Sequence, residues 1–131
     1  MRISRDLLDD LIAHAREEAP NECCGLVAGV DGRAARLYRA RNEFASPLRY
    51  NVHPQDLLRI TNEISDRGEK LAAIYHSHTA SEAYPSQTDI NLATNWPDPV
   101  YLICSLAADD PDVRGFAIRD GAVEEVELVV E

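Results

Sequence analysis

Two histidines, a serine and an aspartate within residues 74–89, IYHSHTASEAYPSQTD, have the types and spacing of a hydrolytic metal site. Leu71 to Tyr75 (LAAIY) is a short apolar run of strand length, and a strand places residues i and i+2 on one face. His76 and His78, which continue it, therefore look the same way. Seven residues separate His78 from Ser86, and Asp89 follows three later. Pro85 interrupts the loop and admits a helix beginning at Ser86, so Ser86 and Asp89 fall on one side of its first turn. A strand end and a helix start can thus aim two imidazoles, a carboxylate and a hydroxyl at one point. Catalytic Zn²⁺ takes three nitrogen or oxygen ligands and keeps a fourth position open.

Each part also has a plainer explanation. His-x-His on a strand describes two ordinary surface histidines, Ser-x-x-Asp is a capping box, and an aspartate in a first helical turn is favoured by the helix dipole. The conjunction of all four favours the metal. Hydrolysis also needs a general base to take a proton from the attacking water. Glu22, Glu43, Glu63, Glu69 and Glu82 are all candidates, and spacing does not choose among them.

These side chains need a scaffold, and the composition supplies one compact domain spanning 1–131, with 45% apolar residues. The formal charge is −10, from 23 acidic against 13 basic residues with no Lys/Arg run, which argues against nucleic acid as a partner. No stretch approaches the length of a membrane span and the first residues carry no signal-peptide core, so no membrane association and a cytoplasmic location are expected. Three cysteines, two of them adjacent, make neither a disulfide framework nor a thiolate zinc knuckle and read as reduced core residues. A small acidic domain with strand edges is compatible with a homodimer, although no stretch marks an interface.

The elements follow from periodicity and punctuation. Ser4 caps a first helix to about Glu18, with Leu7, Leu8, Leu11, Ile12 and Ala15 inward and His14 partly exposed beside them. Pro20 and Asn21 stop it, and Glu22 stands at the entry to the next strand. Asp31-Gly32 and Asp120-Gly121 mark two hairpins. A second helix runs from about Pro54 to Arg67, with Leu57, Leu58, Thr61 and Ile64 inward. His53 stands at its entry with no metal role. The third helix, from Ser86, ends before Trp96-Pro97 and packs Ile90, Leu92 and Ala93 inward. Pro99 to Leu106 reads as a strand buried on both faces, Cys104 included, and Val113–Arg119 and Ala122–Val130 as two more strands. The class is α/β in the mixed sense, a central mixed β-sheet flanked by helices.

A glutamate early in the chain, then His-x-His, seven residues, Ser, two residues and Asp resembles the signature of the JAMM/MPN+ (Mov34/MPN/PAD-1) metallopeptidases. Here it reads Glu22, His76-Ser77-His78, Ser86 and Asp89, with no departure in type or spacing. Pro20-Asn21-Glu22-Cys23-Cys24-Gly25 resembles the family's lead-in, and 75–89 is most similar to its CysO-cysteine peptidase group. The resemblance implies the JAMM/MPN fold, which is cytidine-deaminase-like, although the deaminases' own His-x-Glu and Pro-Cys-x-x-Cys zinc signature is missing. It implies one Zn²⁺ per chain on His76, His78 and Asp89, Glu22 as general base and Ser86 as an oxyanion donor. It further implies a substrate, the Gly-Gly tail of a ubiquitin-like sulfur-carrier protein, with cysteine released in cysteine biosynthesis. Cleavage of a lysine isopeptide or processing of another carrier precursor are the alternatives, and a non-catalytic MPN scaffold a weaker one. A Gly-Gly tail has no side chains to grip, so pairing with a sheet edge near the site is expected, with Thr79 to Tyr84 contacting the departing cysteine.

Overall fold

A computed structural model describes residues 1–131. In chain order the elements are β1 (Arg2–Ile3), α1 (Arg5–Glu18), β2 (Cys24–Val30), β3 (Arg33–Ala40), α2 (Pro54–Asp66), β4 (Lys70–His78), α3 (Gln87–Leu92), β5 (Val100–Ser105), β6 (Asp112–Arg119), β7 (Ala122–Val126) and β8 (Val129–Val130). A 3₁₀ turn over Ala93–Asn95 extends α3. All eight strands form one mixed sheet in the order β7-β6-β5-β4-β2-β3-β1-β8.

Local chemistry explains the joints. Asp31 and Gly32 have φ of 52° and 78°, and Asp120 and Gly121 have 52° and 77°. Positive φ at both central residues is what a tight type I′ hairpin needs, and Asp-Gly supplies it. Ser4 caps α1 by accepting from the Leu7 N–H, and Pro54 opens α2. β4 pairs antiparallel with β2 and parallel with β5, so it lies inside the sheet, and Ala73 to His78 are all buried.

The alternation of β4 divides the core. Ala73 and Tyr75 face α1, in a cluster with Leu8, Leu11, Val27, Leu102 and Cys104, while Ile74 joins Leu26, Ile60, Ile64, Tyr101 and Ile103 beneath α2. His76 and His78 share the Ile74 face by the same alternation. All three cysteines are free and buried.

Four expectations need correcting. Leu58 is 64% exposed, and Ile60, at 0%, fills the inner face of α2 with Ile64. Counting in steps of three and four from Leu57 reaches Ile60, Thr61 and Ile64 and leaves Leu58 outside. Ser86 is the N-cap rather than the first helical residue. His14 is buried, not partly exposed, because the Tyr75 hydroxyl reaches up from β4 and hydrogen-bonds its Nδ1 at 2.7 Å. Finally, the expected strand over 122–130 is two strands, and the second pairs with β1, a two-residue strand with no legible pattern.

That last break shapes the molecule. β7 and β8 occupy opposite ends of the strand order, yet only residues 127 and 128 separate them. Three residue steps span at most about 11 Å, so the sheet curls until its two edges nearly meet. β4 itself is paired on both sides, while the outer edge of β3 beyond Arg33 has no strand partner, and Ala40 at its end lies across Cys24 from His76.

Gly25 marks the tightest packing next to the site. It pairs with Tyr75 in the β2–β4 register, and a methyl group in its place would overlap the Tyr75 ring and the Tyr38 carbonyl oxygen. The carbonyl is backbone and cannot swing aside. Gly25→Ala is expected to cost about 1–3 kcal/mol of folding stability, as overpacked sites do, read as a drop in urea midpoint. An unchanged midpoint would show that β2 yields at this point.

Candidate metal centre

β4 delivers both imidazoles and α3 delivers the carboxylate. His76 Nε2 lies 3.2 Å from His78 Nε2, and Asp89 Oδ2 lies 3.1 Å from the first and 3.0 Å from the second. All three side chains are buried, at 0%, 5% and 2% exposure. Around a tetrahedral cation with bonds of about 2.0–2.1 Å, ligand atoms stand about 3.4 Å apart. The observed triangle is a few tenths of an ångström tighter, so a small divalent cation fits with a slight spreading of the side chains. Glu22 completes the group. One ligand atom from each of Glu22, His76, His78 and Asp89 lies within 4.8 Å of every other.

Each side chain is held from behind. His78 Nδ1 donates to the Glu82 carbonyl at 2.8 Å, which keeps a proton on Nδ1 and turns Nε2 toward Asp89. The His76 ring stacks on Tyr50, 4.2 Å between centroids and 17° between planes. Its Nδ1 is buried with no partner, a desolvation cost of about 1–3 kcal/mol that apolar packing has to offset. Asp89 also accepts from the Ser86 N–H at 2.9 Å, while its own N–H donates to Ser86 Oγ at 3.1 Å. This is the reciprocal capping box anticipated as the plainer reading, and it coexists with the cluster because it uses the same carboxylate to aim at the histidines. Ser86 Oγ acts there as an acceptor, so its hydroxyl proton remains free to donate elsewhere.

Glu22 follows α1 after the turn at Pro20, and its backbone is fastened on both sides. Its N–H donates to the Ser46 carbonyl at 2.9 Å, and its carbonyl accepts from Asn42 Nδ2 at 3.1 Å. The next residue, Cys23, donates its N–H to Ser77 Oγ at 2.8 Å. Ser77 sits between the two histidines and points to the opposite face of β4, so it ties the glutamate strand to the histidine strand. Glu22 is 4% exposed, and its Oε1 is buried without a partner. A buried carboxylate oxygen left open beside three convergent ligand atoms fits a site that takes a cation and a water.

Electrostatics agree. Burial pushes the Glu22 carboxyl up to about 7, with the nearby Asp89 charge adding and His78 opposing. Burial alone would raise Asp89, but hydrogen bonds from His76, His78 and the Ser86 N–H hold it well below the usual carboxylate range. Burial lowers His76, more than its contact with Asp89 restores. Burial would lower His78 too, but the bonds to Asp89 and the Glu82 carbonyl carry it above its ordinary value. Two carboxylates of opposite perturbation side by side are the pattern of divided acid-base labour.

Glu22, His76, His78 and Asp89 therefore converge, with Ser86 joined to them through Asp89; spacing pointed to the histidines, Ser86 and Asp89, and the family signature to Glu22. Glu43, Glu63 and Glu82, the other glutamates considered as bases, are outside the cluster, and Glu69 instead faces Arg36 at 3.4 Å. His53 accepts from the Gln55 N–H as the α2 cap, with no part in the cluster. Tyr50, Asn42, Ser77 and the Glu82 carbonyl were missed. Ser77 alone left a trace, because strand alternation puts it opposite the histidines.

Residues 4–119 match the family model for prokaryotic homologues of the JAB domain. The chain belongs to this family. The CysO-cysteine peptidase of Mycobacterium tuberculosis is 41% identical over 128 residues, covering 94% of this chain and 86% of that protein. The probable TtuB-protein conjugate cleaving protease of Thermus thermophilus is 38% identical over 129 residues, covering 98% and 81%. Among solved structures, protein DSY2949 from Desulfitobacterium hafniense superposes with a TM-score of 0.90 at 32% identity, covering 99% of this chain and 92% of that one. AF2198 from Archaeoglobus fulgidus, described as a JAB1/MPN domain protein, gives 0.67 at 25%, covering 99% and 98%. The JAB/MPN fold expected from the signature is the fold observed, and with the four-residue cluster intact the protein is a metallopeptidase of the JAMM class.

Proposed function

We propose that this JAMM domain is a zinc peptidase that cuts the amide bond after the C-terminal Gly-Gly of a ubiquitin-like sulfur-carrier protein and releases cysteine. The observation that carries it is the buried triangle of His76 Nε2, His78 Nε2 and Asp89 Oδ2 with the open Glu22 oxygen beside it, in a chain 41% identical to a CysO-cysteine peptidase. Two imidazoles and one carboxylate are a borderline donor set that suits Zn²⁺. His76, His78 and Asp89 would hold the ion, which when bound supplies Lewis acidity toward a water and the scissile carbonyl.

The remaining work belongs to the chain. Glu22, poised near neutrality by its burial, takes the proton from the attacking water and passes it to the departing amine. The Ser86 hydroxyl, already accepting from the Asp89 N–H, turns its free proton toward the oxygen that gains charge, a contribution of about 2–4 kcal/mol at sites of this kind. An extended tail pairs with main chain near the histidines, at the open outer edge of β3 or at the irregular backbone beside it. The segments 41–53 and 79–84 flank the site, and the first already contains an isolated antiparallel bridge, Asn42 to Val52.

The alternative keeps the chemistry and changes the leaving group to a lysine side chain, and the likeness to a probable TtuB-protein conjugate cleaving protease supports a protein conjugate as substrate. Incubating the zinc-loaded protein with carrier proteins ending in Gly-Gly-Cys, or joined through Gly-Gly to a lysine side chain, decides between them. Mass spectrometry should show loss of one cysteine residue from the first and slower or no release from the second. Faster release from the lysine conjugate would overturn the cysteine assignment.

A further inference from the structure

The side chains lining the reacting centre do not explain how His78 keeps its ring orientation. Its Nδ1 must carry a proton for Nε2 to offer a lone pair, and the acceptor for that proton is the Glu82 carbonyl at 2.8 Å. That carbonyl lies in a loop without regular secondary structure, residues 79–84, between β4 and α3. Whatever fixes the loop therefore fixes the histidine.

The loop is fastened from outside at its middle. Ser105, the last residue of β5, is 4% exposed and donates its hydroxyl proton to the Ser81 carbonyl at 2.6 Å, one peptide before Glu82. Its Oγ in turn accepts from the Ala107 N–H at 3.2 Å, so the hydroxyl has one direction left in which to donate. Ser105 is also the strand partner of His78 across the β4–β5 ladder, and the Leu106 N–H closes the pair on the His78 carbonyl at 2.9 Å. Beyond Glu82 the Tyr84 N–H turns back to the same Glu82 carbonyl at 2.9 Å, Ala83 is buried and the Tyr84 ring meets Phe116 edge to face at 5.4 Å. Apart from His78 itself, no side chain outside the loop other than Ser105 donates to its middle. Ser105 thus closes a ring of contacts, from His78 to its strand partner, through the Ser81 carbonyl to Glu82 and back to the imidazole.

We propose that Ser105 is a positioning residue for the metal centre, acting through the Ser81–Glu82 backbone to hold His78 with Nε2 toward the ion. This rests on the reading that His76, His78 and Asp89 bind a divalent cation. A serine at a strand end could merely terminate β5, and that role predicts a loss of stability with no change at the metal. The positioning role predicts the reverse emphasis, since outer partners of metal-bound histidines typically carry 10- to 100-fold in metal affinity.

Co²⁺ reports this without any substrate, through its visible ligand-field bands. Titrating the metal-free full chain, Ser105→Ala is expected to bind Co²⁺ about tenfold more weakly than wild type with altered bands, and Ser105→Thr, which keeps the hydroxyl, to return both toward wild type. Thermal melting of the metal-free proteins identifies the folded variants. Should the alanine variant not fold, Ser105→Cys, similar in size and a poor donor, takes its place with the same expected loss. Wild-type affinity and bands in the alanine or cysteine variant would overturn the proposal, as would a threonine variant no better than alanine. A wild-type protein that takes up no Co²⁺ would instead overturn the metal reading beneath it.

Discussion

Glu22→Gln is expected to leave the metal in place and reduce kcat by about 10³-fold, within the range that general acid-base groups contribute. Glutamine matches glutamate in size and can keep the buried position, but it cannot accept a proton from water. Zinc content by atomic absorption should match wild type, because two imidazoles and Asp89 remain. Normal turnover in this variant would mean that another group moves the proton. The same substitution has a second readout in the metal-free protein. The Glu22 carboxyl titrates near 7 when folded, against an ordinary glutamate value of 4.5 when unfolded. Below about pH 4.5 both states are protonated and the residue contributes no pH dependence. As pH rises toward 7 and past it, the unfolded state ionises more readily, so the folded state loses relative stability, by about 3 kcal/mol at the top of the window. Glu22→Gln should therefore be as stable as wild type in acid and more stable at pH 8. A variant less stable than wild type at pH 8 would contradict the burial cost assigned to this carboxylate.

The stability difference explains why the site was legible while its supports were not. Catalytic groups break local rules and leave a trace in the sequence. Two histidines at the end of an apolar run are a costly choice for a core strand, and the Pro-Ser-x-x-Asp start, an ordinary capping box, became telling only through its spacing from them. Glu22 was harder to assign, since nothing local distinguishes it from Glu43 or Glu63, and only the family signature or the fold brings it within 4.8 Å of the histidines. The supporting contacts obey every local rule and so stay silent. Tyr50 looks like any loop aromatic, Asn42 like any turn residue, and the Glu82 carbonyl has no side-chain signature at all. Fold class and most element boundaries followed from period and punctuation. The curl of the sheet did not, because it depends on β1 and β8, two residues each, whose pairing is decided by closure of the whole sheet.

Asp89 is the position at which fold and chemistry are hardest to separate, and paired substitutions divide them. Its carboxylate draws in both imidazoles and also closes the capping box on Ser86. Asp89→Ala removes both functions and is expected to lose zinc at equimolar metal, with kcat/KM falling by at least about 10²-fold. It should also lose about 1 kcal/mol because the Ser86 N–H loses its acceptor in the capping box, although Ser86 Oγ keeps its own bond to the N–H of residue 89. Asp89→Asn keeps an oxygen that can accept from the Ser86 N–H, so it should retain the cap and melt close to the metal-free wild type. It nevertheless lacks the negative charge that hydrogen bonds from His76, His78 and the Ser86 N–H maintain on Asp89, and it offers the cation a neutral amide oxygen in a site already relying on two neutral imidazoles. Asparagine should therefore bind zinc almost as poorly as alanine while folding better. The pair is informative because a purely structural aspartate predicts the opposite order: asparagine would retain both metal and activity, and only alanine would lose them. Zinc retained at one equivalent in the alanine variant would remove Asp89 from the ligand set. The capping box would then be its whole role.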